Sequence, residues 1–323
     1  SEGLNRFSLM VAQTPPRNLF VTLEQSQRLL EIEDQCTAVV VESVKPDGSA
    51  PGVAPTLDAL GLVLIDLGDG VWQLESENLV LSPETVAAAE AAFGADSVQR
   101  ATTYLANRLD RGERSIPYST VTAIGGARVT PLRDIRGERV GLSADEIALS
   151  DLAADDLGAA VGDTVTLRFY EPESTHGVLA EAPPVSFTLA AITPVAEGDP
   201  RWTPQLEGVT DAESINEWDL PFELVETIRQ QDEDYWDEHG TTPKAFIDPR
   251  RAASLWSTRW GTTSLVRFRA TGDRVAVERR LLDAIDPDDF GFTPVHIRQL
   301  AFAASSGNTP IDVLFLLFSM FLI

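Results

Sequence analysis

An α+β fold, made of two mixed-sheet modules and ending in the start of a transmembrane helix, is the class this sequence predicts. Three observations predict it. Strand-length runs of β-branched and apolar residues alternate with short helical stretches that carry their own caps. A strand–helix–strand plan occurs twice, at 19–41 and 245–267; one ungapped shift puts Phe20 on Phe246, Val21 on Ile247, Leu29 on Leu255 and Val40 on Val266. The last stretch, 311–323 (IDVLFLLFSMFLI), carries one charge, Asp312, and from Val313 onward only Ser319 is not apolar. A bilayer span needs about 20 apolar residues, so this run reads as the first half of a cut span, with Ile311, Leu314, Phe315, Leu316, Leu317 and Phe318 entering the bilayer. A buried C-terminal helix of a soluble domain is the alternative. The expected division is 1–115 for the C-terminal part of a first module plus a connector, 116–304 for a second module, and 305–323 for a linker and the truncated helix.

The elements follow in order. Strands are expected at 4–11 and 19–21 around the Pro15-Pro16 turn, a helix at 23–30, and a β-branched strand at 37–41. Residues 45–55 (KPDGSAPGVAP) form a turn-rich connector. Strands at 63–67, 71–74 and 79–81 lead to two helices, 83–93 and 96–109; the first has Ser82 as cap and Pro83 at its opening position. The second half begins with strands at 121–124 and 146–149. A helix at 151–157 follows, with Ser150 as its cap, Asp151 favoured by the helix dipole in its first turn and Gly158 as a left-handed stop. A turn at Val161-Gly162-Asp163 feeds a strand at 164–170, whose partner at 185–192 lies beyond a hairpin tip, 171–184. A helix at 222–231, an acidic stretch at 232–239, a strand at 244–248, a helix at 249–256, a strand at 265–270 and a helix at 274–285 complete the series.

Composition excludes several classes of function. The formal charge is -25, from 50 acids against 25 bases, and only Lys45 and Lys244 are lysine. Such a surface repels phosphate backbones, so nucleic acid is not an expected partner. Hydrophobic content of 43% and a mean hydropathy of -0.05 belong to a folded chain. Cys36 is the only cysteine, which rules out an intrachain disulfide and a cysteine-based metal site. The first residues, SEGLNRFSLM, lack the basic and apolar regions of a secretory signal, so an export signal is expected upstream of Ser1.

No motif argues for chemistry. Asp232, Glu233, Asp234, Asp237, Glu238 and His239 form the densest polar group, but they lack calcium-loop spacing. They read as a solvated helix face with Tyr235 and Trp236 turned inward; Asp234 and Glu238, at helical spacing, are the one pair that could share a cation. Glu213 with Glu217, and Asp155-Asp156, read as solvated too. His176, His239 and His296 are scattered without ligand spacing. Gly-x-Ser-x-Gly is absent, and Gly125-Gly126 lacks the phosphate-loop context. Catalytic, cofactor and metal residues are therefore expected to be none. Five tryptophans, Trp202, Trp218, Trp236, Trp256 and Trp260, crowd one third of the chain. The long loop 195–222, with Trp202 and Trp218, backed by Tyr235 and Trp236, is the expected partner-contact surface.

Three segments carry a family resemblance: 5–23 (NRFSLMVAQTPPRNLFVTL), 146–167 (EIALSDLAADDLGAAVGDTVTL, an LxxxxLGxxxGDxVxL pattern) and 232–247 (DEDYWDEHGTTPKAFI), with Ser115-Ile116-Pro117-Tyr118-Ser119 as a fourth point. Together they resemble the extracytoplasmic region of FtsX-like, or MacB-like, ABC transporter permeases. The resemblance implies a βαβ-rich porter-like part and a β-rich part, held in a bacterial inner membrane with this region outside the cytoplasm. It also implies a dimer of permeases, a cytoplasmic ABC ATPase partner, no cofactor and a mechanotransmission role without catalysis. Two rival readings remain: a soluble secreted acidic hydrolase or sugar-binding protein, and a membrane-anchored docking module without a transporter.

Overall fold

The computed structural model describes residues 21–30, 55–126, 129–172, 179–195, 199–206, 208–219, 224–291 and 318–319. The chain divides into two units, 1–54 with 291–323, and Pro55–Phe290. Of the first unit the described part is mainly one helix, α1 (Leu23–Leu30), which buries none of its residues.

The second unit is organised by one long hairpin, β3 (Val98–Arg111) and β4 (Arg114–Gly126), turned at Gly112 with φ of 60°. Around it stand β1 (Leu62–Gly68), β2 (Val71–Ser76), β5 (Glu146–Ser150), β6 (Thr164–Arg168), β7 (Val185–Thr193), β8 (Ala245–Ile247) and β9 (Leu265–Arg269). The sheet order is β1-β2-β9-β3-β4-β8-β5-β7-β6, with a further β3–β6 pairing. That pairing, Arg108 to Asp110 against Thr166 to Arg168, closes β3-β4-β8-β5-β7-β6 into a six-stranded barrel. The other end of β3 carries β9, β2 and β1 as an open sheet. The length of β3 makes both possible, since its first residues pair with β9 and its last with β6. Pairs β4–β8 and β5–β7 are parallel and the rest antiparallel.

Each part has its own core. In the barrel, Leu109, Ile116, Val121, Ile147, Leu149, Val165, Leu167, Phe187 and Leu189 join residues of α3 (Asp151–Leu157) and α5 (Pro249–Trp256). Trp256 stacks on Tyr104 with ring centroids 5.1 Å apart. Behind the open sheet, Leu64, Trp72, Leu74, Val266 and Phe268 pack against α2 (Pro83–Phe93) and α6 (Arg274–Leu282), and Phe93 stacks on Phe268 at 3.9 Å. Burial of this kind contributes roughly 1.5–3 kcal/mol per large apolar side chain.

The α+β class holds, and most elements fall where expected. The caps Ser82 and Ser150 act as expected, and Asp248 and Asp273, not expected as caps, act alike: each accepts a backbone N–H from the first turn of its helix. Of the paired strand–helix–strand plan, the second copy forms: β8–α5–β9 has two parallel strands with the β3–β4 hairpin between them. The first copy lies outside the described residues apart from Val21 and α1, as do the expected strands at 4–11 and 37–41. The expected boundary at 115/116 falls in the first residues of β4, and one sheet runs across it.

Three expectations are corrected. Of residues 96–109, expected as a helix, 96–97 end a short 3-10 turn and 98–109 lie in β3: Ala101, Leu105 and Leu109 have helical spacing by coincidence, while Thr102, Thr103 and Tyr104 and the partner β4 favour the extended chain. The helix expected at 222–231 instead begins later, as α4 (Gln230–His239), so the acidic stretch is itself the helix. Its start is set by Asp232, whose carboxylate accepts the Arg229 backbone N–H at 2.9 Å. Residues 79–81 make only an isolated bridge, Leu81 to Thr263, because Leu79 turns the chain with φ of 65°. Among the described residues no helix is long and apolar enough to cross a membrane. Ile311, Leu314, Phe315, Leu316 and Leu317 lie outside them, and Phe318, which is described, is 63% exposed.

Candidate functional site

The face of the open sheet turned away from α2 and α6 is polar, and it is buried. Strand register makes it so: Gln73 of β2 and Gln99 of β3 both stand opposite Arg267 of β9. All three are buried. The Arg267 guanidinium donates from Nε to Gln73 Oε1 at 2.6 Å and from Nη1 to Asp199 Oδ2 at 2.9 Å. Trp202 covers its face, with Cζ 3.5 Å from the ring centroid. Gln73 Nε2 donates to Arg201 O at 2.8 Å and also to Glu75. Gln99 fixes the loop after β4 by donating to Thr130 O at 3.0 Å and accepting from Thr130 N at 2.8 Å. One guanidinium nitrogen, Nη2, is buried without a hydrogen-bond partner.

Burial pushes Arg267 down to about 10, against the pull of Asp199, so it remains a cation at neutral pH. Burial also raises Asp199, but Arg267 and Arg201 outweigh it and hold that carboxyl below its usual range. Glu75 is raised by burial, in spite of bonds from Gln205 N and Gln73. This network borders a cleft of about 160 Å³, lined among others by Thr130, Arg133, Asp199, Trp202, Phe246 and Arg267.

A second polar cluster sits where α4 meets the barrel. Asp232 is 1% exposed and takes two bonds from Arg229, 2.8 Å from Nε and 2.7 Å from Nη2. Arg229 also reaches Asp156 at 2.7 Å. Lys244, just before β8, is buried with Nζ 3.9 Å from Asp232 Oδ1 and 4.5 Å from the Tyr235 ring centroid. Burial pushes it down to about 8 although Asp232 and Asp156 oppose the shift. A cleft of about 260 Å³ adjoins it, with Asp156, Asp234, Glu238 and His239 among its walls.

The residues expected at a partner surface are placed as follows. Trp202 is buried under Arg267 rather than displayed. Trp218 and Trp236 come together, edge to face at 5.0 Å, and are half-buried. Trp236 Nε1 donates to Ala212 O at 3.1 Å, which ties the loop to α4. Tyr235 is buried, and its hydroxyl donates to Thr242 O at 3.0 Å. Trp218 also meets Tyr118, whose hydroxyl accepts from the N–H groups of Val225 and Glu226. Trp202 stands apart from this group, with no ring contact to Trp218 or Trp236 among those described. Arg267 and its glutamines were not singled out in the sequence. The signal in the sequence is partial: Gln73 and Arg267 each stand between apolar residues of their strands, whereas Gln99 is followed by further polar residues of β3.

The LxxxxLGxxxGDxVxL segment is built into β5, α3 and β6. Gly158 ends α3 with φ of 58° and lies close to Arg114, so a Cβ there would come within 2.7 Å of its Nη1. Asp163 accepts from Ala160 N at 2.8 Å and from Arg111 Nε at 2.9 Å; these bonds, the backbone one first, hold its carboxyl low. Its glycines and aspartate shape turns. Gly125 likewise serves packing, since a Cβ would lie 2.7 Å from Pro249 Cγ of α5. Among the described residues no group of three or more His, Cys, Asp or Glu could hold a metal ion.

No family model matches the chain, and no curated protein matches it. Solved structures similar to it include the extracellular domain of the noncanonic ABC-type transporter YknZ from Gram-positive bacteria, at 10% identity and a TM-score of 0.38, covering 67% of this chain and 87% of that one. The periplasmic region of MacB from Actinobacillus actinomycetemcomitans is similar at 8% identity and a TM-score of 0.37, covering 71% and 85%. At these identities and scores neither likeness carries an argument about what this chain does.

Proposed function

We propose that this chain is the extracytoplasmic region of an ABC transporter permease. The observation that carries the reading is the ordered set of family-like segments at 5–23, 115–119, 146–167 and 232–247, in a body followed by the apolar run 311–323. The second and third of these segments serve strands, a helix stop and a turn, which is the use expected of a structural motif rather than a reactive one. In this reading the chain holds the tail of one module and the whole of a second, and the run enters the inner membrane. A cytoplasmic ATPase subunit drives a dimer of such permeases. The region outside works by rigid-body motion that handles cargo or a partner, with no catalysis or cofactor of its own. The part of the loop where half-buried Trp218 meets Trp236 is proposed as the contact surface, with buried Trp202 and Tyr235 in supporting positions.

The test is affinity purification of the full-length gene product from its native membranes. An ABC ATPase subunit is expected to copurify, and the isolated region 1–304 is expected neither to bind nor to hydrolyse ATP. ATP hydrolysis by the isolated region would remove the reading, as would the absence of any ATPase in the purified complex.

A further inference from the structure

The cleft beside Arg267 has the properties of a site for a ligand. Its charged walls are Arg133, Arg267 and Asp199, two cations against one anion, in a chain of formal charge -25. A local excess of positive charge in such a body focuses the field on anions. The hydroxyls around the cleft are committed elsewhere. Thr130 Oγ1 bonds Gln99 Oε1 at 2.8 Å, Thr193 Oγ1 donates to Leu149 O at 3.2 Å, Thr242 Oγ1 donates to His239 O at 2.7 Å, and Ser150 caps α3. Asp199 is held by Arg201 and Arg267. The donor left over is Arg267 Nη2, on a side chain that is 1% exposed. A buried guanidinium N–H without an acceptor carries its desolvation cost unrelieved, so an acceptor supplied there gains more than one on the open surface. Arg133, at the rim, spends one nitrogen on Gly137 O at 2.6 Å and keeps its charge facing the cleft. The remaining walls, among them Ile124, Val195, Phe246 and Trp202, are apolar. The volume, about 160 Å³, is roughly that of a cavity that accepts one benzene-sized molecule.

We infer that this cleft binds one carboxylate attached to a small apolar group, with Arg267 and Arg133 as its recognition groups. The carboxylate is that of a free small acid or of a peptide C-terminus. The assignment does not depend on the permease reading. Guanidinium groups suit it because their N–H pairs match carboxylate oxygens.

The test is a titration of the full 15N-labelled chain at constant ionic strength, held with sodium chloride. The probes are benzoate and N-acetylalanine, with benzamide and N-acetylalaninamide as uncharged controls. Saturable shifts are expected at the Trp202 indole N–H and the Thr130 and Thr242 amides with the acids, and none with the amides. Saturation by benzoate alone assigns the site to free acids, and tighter saturation by N-acetylalanine assigns it to peptide ends. Arg133→Gln, an exposed substitution, is expected to weaken binding about tenfold, or about 1.4 kcal/mol. Arg267→Lys, which keeps the charge and removes the fork, is expected to abolish saturation while the remaining spectrum stays folded. Should Arg267→Lys fail to fold, Arg133→Gln decides. Equal response to acids and amides, no saturable shift, or unchanged affinity in Arg133→Gln overturns the assignment.

Discussion

The open sheet and the barrel each bury a cation against an aspartate and an aromatic ring, but with different bonding. In the open sheet, Arg267 makes hydrogen bonds to Gln73 and Asp199 and lies 3.5 Å from the Trp202 ring centroid. At the barrel rim, Lys244 stands 3.9 Å from Asp232 and 4.5 Å from the Tyr235 ring, and Asp232 is satisfied mainly by Arg229. A planar fork can be bonded from several directions at once, whereas a buried ammonium needs a close shell of acceptors. Arg267 is therefore integral to its network, while Lys244 costs stability at neutral pH because desolvation exceeds its attraction to Asp232.

The largest effect expected from this contrast is that of Arg267→Met. It removes the donor shared by Asp199 and Gln73 and the positive charge near Glu75, and urea unfolding should show a loss of about 3–5 kcal/mol. A loss below about 1 kcal/mol would erase the difference between the two sites. Arg229→Met comes next, at about 2 kcal/mol, because Asp232 keeps only the backbone N–H of residue 229 and the distant Lys244, while Arg229 itself is one-third exposed. Lys244→Met is the smallest change and has the opposite sign, a gain of about 1 kcal/mol at pH 7 by the same measurement. A destabilised Lys244→Met would show that the ammonium contributes as much as the guanidinium.

The pH dependence sharpens the same point. Lys244 falls from its usual 10.5 to about 8 in the folded chain. Between pH 8 and 10 the unfolded chain therefore keeps a proton that the folded chain has lost, and stability from this group rises with pH. Below pH 8 both states are protonated and its burial cost is fully present. Unfolding midpoints at pH 7, 8, 9 and 10 should rise for the parent protein relative to Lys244→Met. Parallel curves would place the folded Lys244 near its ordinary value.

Local chemistry was legible in the sequence, and long-range pairing was not. Ser82-Pro83, Ser150-Asp151, Asp248-Pro249 and Asp273 announce their helices, since a cap acts within one turn. The strand nature of 98–111 was missed because its spacing also fits a helix, and only pairing with residues 114–126, 164–168 and 265–269 decides between them. The same holds for the polar cluster. Gln73, Gln99 and Arg267 look like unrelated polar residues of three strands until the register aligns them. Trp202 was picked out for its loop, but its role comes from Arg267, a residue that no local pattern joins to it. The acidic face of α4 was read correctly in one respect: Tyr235 is buried and Trp236 half-buried behind it.

The assignment to a membrane permease is tested most directly by the topology of the full-length gene product in its native cells. With an epitope tag in the exposed turn at Gly112, the protein should sediment with the inner membrane and resist carbonate extraction. The tag should be cleaved by protease added outside intact spheroplasts. Recovery of the tagged protein in the soluble fraction, or protection of the tag until the cells are lysed, would contradict the account.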